Sequence, residues 1–189
     1  IALVANTFAD ARDVMLEGES GLLTVSRPDF RPVFEISKRR LTWPNGVQAW
    51  LYSAQEPDQL RGPQHHLAWA DEIAKWLHLE EVWSNLLLGL RLGSQPKVMA
   101  TTTPKPLLFL RELMADRHTV VTRGSTFENK ANLSQAFLHH IEMRYGDTRL
   151  GRQEIDGDIL DEIEGALWTY SVFDLCRVHE PPSLERVVV

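Results

Sequence analysis

The 189-residue chain carries 20 Lys and Arg against 26 Asp and Glu, a net charge of −6. That balance excludes a protein coated in positive charge for gripping nucleic acid over its whole surface, and leaves room only for a local basic patch, for which Arg39, Arg40, Arg111, Arg117, Arg123, Arg144, Arg149 and Arg152 are the candidates. With 43% apolar residues and no apolar run near the roughly 20 residues of a membrane span, the composition is that of one soluble globular domain with room for part of a second.

In chain order, Ile1 to Ala5 is a short apolar run with no initiating Met and no basic flank, the middle of a strand rather than a signal peptide. Asn6-Thr7 is a capping signal for a helix over Phe8 to Glu17, where Ala, Val, Met and Leu recur at helical spacing. Beyond a Pro-containing stretch, Arg40 to Trp43 and Val47 to Tyr52 flank Pro44-Asn45-Gly46, a hairpin signal in which both residues of the Asn-Gly pair are expected at positive φ. A polar loop, Ser53 to Gln64, leads into His65 to Glu72, which reads as a buried parallel strand.

Ile73 to Leu79 and Val82 to Leu92 have helical spacing, with Gly93 as the stop, and Lys97 to Thr101 is another short strand. Pro104 to Ala115 reads as a helix with prolines in its first turn, His118 to Thr122 as a strand, and Ser134 to Tyr145 as a helix opened by a serine cap. Further on, Arg149 to Ile163 is helical in part and Pro181-Pro182 marks a linker. The closing run Val187 to Val189 and the strand-like opening together suggest an internal fragment of a longer chain. Strands alternating with helices predict an α/β fold, a mainly parallel sheet with flanking helices.

One segment carries most of the chemistry. Leu67-Ala68-Trp69-Ala70-Asp71-Glu72 has the form of a Walker B strand, in which apolar residues bury the strand and place carboxylates at its carboxyl end. Asp71 is then a magnesium ligand and Glu72 the group that orients and deprotonates an attacking water. An acidic pair after an apolar run also marks the capped start of a helix, and the pattern alone does not separate the two.

Other candidates read more simply. The pairs His65-His66 and His139-His140 are adjacent, so neither pair shares one face of a helix or strand for a metal. Asp156, Asp158, Asp161, Glu162 and Glu164 do not follow the order of a calcium loop and read as a solvated face. The six tryptophans read as core and hairpin packing rather than stacking surfaces. The single Cys176 excludes an internal disulfide framework, fits a reducing compartment, and reads as a small buried residue.

The neighbours of the acidic pair carry a resemblance. Leu60-Arg61-Gly62-Pro63-Gln64 upstream and Met99-Ala100-Thr101-Thr102-Thr103-Pro104 downstream resemble the Arg-Gly element and the Thr-rich coupling motif of large terminases, the DNA-packaging ATPases of tailed phages, in the family's order. Val121 to Phe127 with Asn129, Leu150 to Glu154, and Gly165 to Trp168 are similar to stretches of phage and gene-transfer-agent terminases. The resemblance implies a P-loop NTPase core of the RecA-like kind, with ATP and Mg2+ as substrate and cofactor. It implies that Arg61 stands beside the phosphates of a neighbouring subunit, and that Thr101, Thr102 and Thr103 sense phosphate or the attacking water. For Arg61 the alternative is a structural arginine in a Gly-Pro turn, and for the threonines a β-branched strand end. For Arg123 the resemblance suggests phosphate sensing or a DNA contact, beside a solvated strand-end arginine.

Two departures accompany the match. No Gly-rich loop ending in Gly-Lys-Ser or Gly-Lys-Thr occurs in these residues, and in the family that loop precedes the strand matching Ile1 to Ala5. Val187 to Val189 resembles the start of an RNase H-like nuclease domain, short of its first acid. The expected division is an ATPase domain over residues 1–165, missing its Walker A segment, then a linker and nuclease start over 166–189. The expected function is the motor of a terminase that moves double-stranded DNA into a procapsid, with an endonuclease in the complete protein and no activity in the fragment alone. Expected partners are double-stranded DNA, sister subunits in a ring, the portal and the small terminase subunit, in the host cytoplasm and away from membranes. A helicase-like P-loop ATPase and a non-catalytic interaction domain are the alternatives.

Overall fold

The computed structural model describes residues 1–103, 105–145, 172 and 175–177. The chain divides into two compact units, Ile1–Asp116 and Arg117–Val189. The boundary expected at residue 165, the helix expected over 149–163, the acidic cluster over 156–164, Arg149, Arg152 and the proline pair at 181–182 all lie outside the described residues.

The first unit is built on a six-stranded sheet in the order β2-β3-β4-β1-β5-β6. Its centre is β1 (Ala2–Ala5), four buried small or apolar residues with no polar side chain, as a strand covered on both faces must be. β4 (Gln48–Ser53) and β5 (Leu67–Ala70) pair with β1 in parallel, and β6 (Lys97–Ala100) pairs in parallel with β5. β2 (Val33–Glu35) and β3 (Arg40–Thr42) add an antiparallel edge beside β4. The chain is thus α/β with a mainly parallel sheet, as the alternation of elements predicts.

The period of two along β1 divides the core. Ala2 and Val4 face a cluster with Ala68, Ala70, Leu60, Trp76, Val82, Trp83, Leu86 and Leu110, whereas Leu3 and Ala5 face Ala11, Met15, Leu16, Leu41, Ala49 and Leu51. On the first face lie α3 (Leu79–Gly89), which buries Val82, Trp83 and Leu86, and α4 (Leu108–Ala115), which buries Leu110. On the second, α1 (Phe8–Asp10) opens on a Thr7 capping box with Asp10 and passes into a π-helical turn, Ala11–Leu16, that buries Ala11, Met15 and Leu16; the short α2 (Leu22–Val25) follows it.

Several elements differ from the sequence reading. The hairpin forms, but only Gly46 of its Asn-Gly pair has positive φ, at +83°. Gly46 N bonds Trp43 O and Trp43 N bonds Val47 O, so Pro44 and Asn45 make an ordinary turn and Gly46 supplies the left-handed bulge. The helix expected over 73–79 shrinks to one 3-10 turn, Ile73–Lys75, which ends where Trp76 turns to extended backbone at ψ 127°; at its start Thr101 O takes Ile73 N and the Thr102 hydroxyl takes Ala74 N. α3 ends at Gly89, four residues before Gly93, and α4 starts at Leu108, after Leu107 in extended conformation. β6 stops at Ala100, which leaves Thr101 beyond the strand.

In the second unit, residues 118–122 form no strand: among the described residues they have no ladder partner, and Val120 is exposed. A serine-capped 3-10 segment, Thr126–Asn132, precedes α5 (Gln135–Tyr145), whose Phe137 N bonds the Ser134 hydroxyl as expected. Cys176 is exposed, which corrects the reading of a buried thiol.

Candidate functional site

The carboxyl ends of β1, β5 and β6 meet at Asp71 and Glu72. β1 lies between strands reached in opposite directions along the sheet, the place where open α/β sheets bind ligands. Asp71 N bonds Val4 O at 2.8 Å and Thr101 N bonds Ala70 O at 2.9 Å, so the parallel ladder runs up to the acidic pair and stops there.

Glu72 then takes a left-handed backbone, φ 52° and ψ 49°. A side chain in that region costs on the order of 1–2 kcal/mol, so the surrounding bonds must hold it. They do: Glu72 N donates to Thr101 Oγ1 at 3.2 Å and Ile73 N to Thr101 O at 3.0 Å. The turn reverses the chain at once, which keeps both carboxyl groups at the strand end. Glu72 occupies the cap position of the following 3-10 turn yet makes no capping bond, so the helix-cap alternative fails at this pair.

Thr101 donates its hydroxyl proton to Asp71 Oδ1 at 2.6 Å, a short charge-assisted bond. Thr102 Oγ1 accepts from Ala74 N at 3.1 Å and donates to Thr103 O at 3.0 Å. Sequence reasoning missed three supporting groups. Trp76 Nε1 donates to Asp71 O at 3.0 Å, Lys105 Nζ donates to Ala74 O at 3.1 Å, and Lys75 Nζ stands 3.5 Å from Glu72 Oε2. That ion pair falls short of a hydrogen bond, and Glu72 Oε2 is covered with no hydrogen-bond partner. Lys75, three residues after the glutamate, is legible as an ion-pair partner; Trp76 and Lys105 are brought in by the turn itself.

The donor set fits a magnesium nucleotide. Mg2+ is commonly held by one or two carboxylates together with substrate phosphates and water, and Asp71 offers one carboxylate at a strand end whose Oδ2 has no hydrogen-bond partner among the described residues. Among the described residues no group of three His, Cys, Asp or Glu forms a ready-made protein cage.

Arg61 is not part of this group. Its guanidinium is well exposed, 3.3 Å from Asp58 and 3.8 Å from Glu81 in the first turn of α3, and Gly62 beside it has φ +102°. Exposed pairs at such distances are worth at most about 1 kcal/mol, so the side chain is cheaply released. Of the basic-patch candidates in the first unit, Arg40 pairs with Glu35 while Arg39 lies over the Phe8 ring at 4.4 Å. In the second unit Arg117 bonds His118, Arg144 lies over Tyr145, and Arg123 is exposed.

Beneath β5, His65 is 2% exposed, packed by the Trp50 and Tyr52 rings, and neither ring nitrogen has a hydrogen-bond partner. Burial first, with the neighbouring His66 adding to it, lowers its pKa from 6.5 to about 4. Burial likewise pushes the Tyr52 phenol up to about 12. Above pH 6.5 His65 is neutral folded and unfolded; as pH falls from there toward 4 only the unfolded chain takes up the proton, so stability declines. Denaturant unfolding at about pH 7.5 and about pH 4.5 should show a loss of about 2–3 kcal/mol from this group, abolished by His65→Phe. An equal loss in the variant would remove His65 as the cause.

A family model described as the terminase large subunit, T4likevirus-type, N-terminal, matches residues 1–174. No curated protein matches the chain. Among solved structures, the large terminase of a thermophilic bacteriophage superposes with a TM-score of 0.63 at 14% identity, over 82% of this chain and 39% of that one. The complex of that terminase with ADP gives a TM-score of 0.64 at 16% identity, over 83% and 39%. The large terminase ATPase domain of a Thermus phage gives 0.58 at 18% identity, over 84% and 76%. At these identities the likeness is one of fold, and the chain spans only 39% of the length of the first two.

Proposed function

The chain belongs to the terminase large-subunit family, and from that premise we propose that it is the ATP-hydrolysing part of a motor that drives double-stranded DNA into a viral procapsid. The observation that carries the reading is the acidic turn: two adjacent acidic residues held at the end of the parallel strand β5 by the threonine that follows β6.

In this reading Asp71 would hold the Mg2+ that accompanies the nucleotide, and a bound ion would supply charge neutralisation for phosphoryl transfer. Glu72 orients the attacking water and takes its proton; its left-handed backbone fixes where that carboxylate starts. Lys75 supports Glu72 electrostatically in the resting state. Arg61, exposed and weakly paired, reaches the nucleotide of an adjacent subunit, which implies a homo-oligomeric ring.

The complete protein brings the phosphate-gripping loop from sequence ahead of Ile1 and an RNase H-like nuclease after the ATPase. It works with the portal and the small terminase subunit in the host cytoplasm. No helix among the described residues is long and apolar enough to cross a membrane. The test is ATP hydrolysis by the complete protein, which should require Mg2+ and vanish in EDTA. A complete protein with an intact phosphate loop and no ATPase activity would retire the reading.

A further inference from the structure

Thr101, Thr102 and Thr103 are chemically alike, yet their hydroxyls are committed differently. A threonine hydroxyl has one proton to donate and two lone pairs to offer. Thr101 gives its proton to Asp71 Oδ1 at 2.6 Å and takes the Glu72 amide at 3.2 Å. Thr102 gives its proton to Thr103 O and takes the Ala74 amide. Neither has a proton left for a phosphate oxygen. Thr103 alone of the three has an uncommitted hydroxyl among the described residues.

We propose that Thr101 is a positioning residue for Asp71 and Glu72, not a sensor of phosphate, and that any phosphate contact from this segment falls to Thr103. Thr101 touches the acidic turn once at each residue from Ala70 to Ile73: its amide bonds Ala70 O, its carbonyl takes Ile73 N, and its hydroxyl joins Asp71 and Glu72. The bond to Oδ1 fixes the Asp71 rotamer and leaves Oδ2 for the metal. The same hydroxyl oxygen, by taking the Glu72 amide, helps hold the left-handed residue from which the water-orienting carboxylate projects. Groups that hold a metal ligand in place in this way are commonly worth a factor of roughly 10–100 in activity or metal affinity.

The inference rests on the reading of Asp71 and Glu72 as the hydrolytic pair, and the experiment separates the two. In the complete protein, ATP hydrolysis is measured against Mg2+ concentration, and ATP binding is measured in EDTA, for wild type, Thr101→Val, Thr101→Ser, Thr101→Cys and Thr103→Val. Thr101→Val should lower kcat about 10–100-fold and raise the Mg2+ needed for half-activity, with binding in EDTA unchanged. Thr101→Ser should restore both, while Thr101→Cys, a poor donor of similar size, should follow valine and replaces it if valine does not fold. Thr103→Val should leave the Mg2+ requirement unchanged. Wild-type kcat and Mg2+ dependence in the valine or cysteine variant overturns the proposal, as does a serine variant as impaired as valine. An inactive wild-type protein refutes the hydrolytic reading itself.

Discussion

Arg61→Ala in the complete protein should lower kcat by about 10³-fold or more while leaving ATP affinity nearly unchanged, the loss expected when a guanidinium acts on the transition state alone. In the structure Arg61 makes no bond to Asp71, Glu72 or the threonines, and its two ion pairs, at 3.3 and 3.8 Å, are exposed. Losing them costs little stability, so a large kinetic effect cannot be attributed to unfolding. Whether the arginine serves its own subunit or the next is decided by mixing. Inactive Arg61→Ala subunits mixed with inactive Glu72→Gln subunits should recover activity, because an interface can form with Glu72 from one and Arg61 from the other. Mixtures as dead as their components would place Arg61 in its own subunit's site or outside the chemistry altogether.

Glu72→Gln should reduce turnover by about 10²–10⁴-fold, the usual worth of a positioned general base, and preserve ATP binding. Glutamine keeps the size of the side chain and the left-handed backbone but cannot accept the proton. The resting contact with Lys75 would weaken, a small effect at 3.5 Å with both groups partly in solvent. Unchanged hydrolysis would mean that another group handles the water, and the acidic pair would reduce to its aspartate.

Much of this site was legible in the sequence. Four apolar residues before Asp71 announced a parallel strand, although only Ala68 and Ala70 of it are buried and Leu67 is exposed, and the apolar run Ile1 to Ala5 announced another strand, which pairs with it. The Thr7 capping signal and the Pro-Asn-Gly hairpin were local chemistry and formed where local chemistry put them, although only Gly46 took the positive φ. What the sequence hid was set by contacts distant along the chain. The helical spacing from Ile73 to Leu79 gave way to a single turn that ends at the extended Trp76, and Thr101 and Thr102, 28 to 30 residues away, bind the amides and carboxylate at its start. A left-handed glutamate cannot be foreseen from its residue type, which disfavours that conformation. Residues 118–122 have the composition of a strand but join no sheet ladder among the described residues, and β-propensity without a ladder does not make a strand. The bare motif likewise treats three threonines as equals, although their hydrogen bonds assign them different tasks.

The most direct test of the acidic turn as a nucleotide-metal site is the anomalous scattering of Mn2+ in crystals of the complete protein with a non-hydrolysable ATP analogue. The expected result is a metal bound by Asp71 directly or through water, with Thr101 still on Oδ1 and Glu72 turned toward the γ-phosphate. A metal on the nucleotide but remote from Asp71, with Asp71 held only by Thr101, would contradict that assignment.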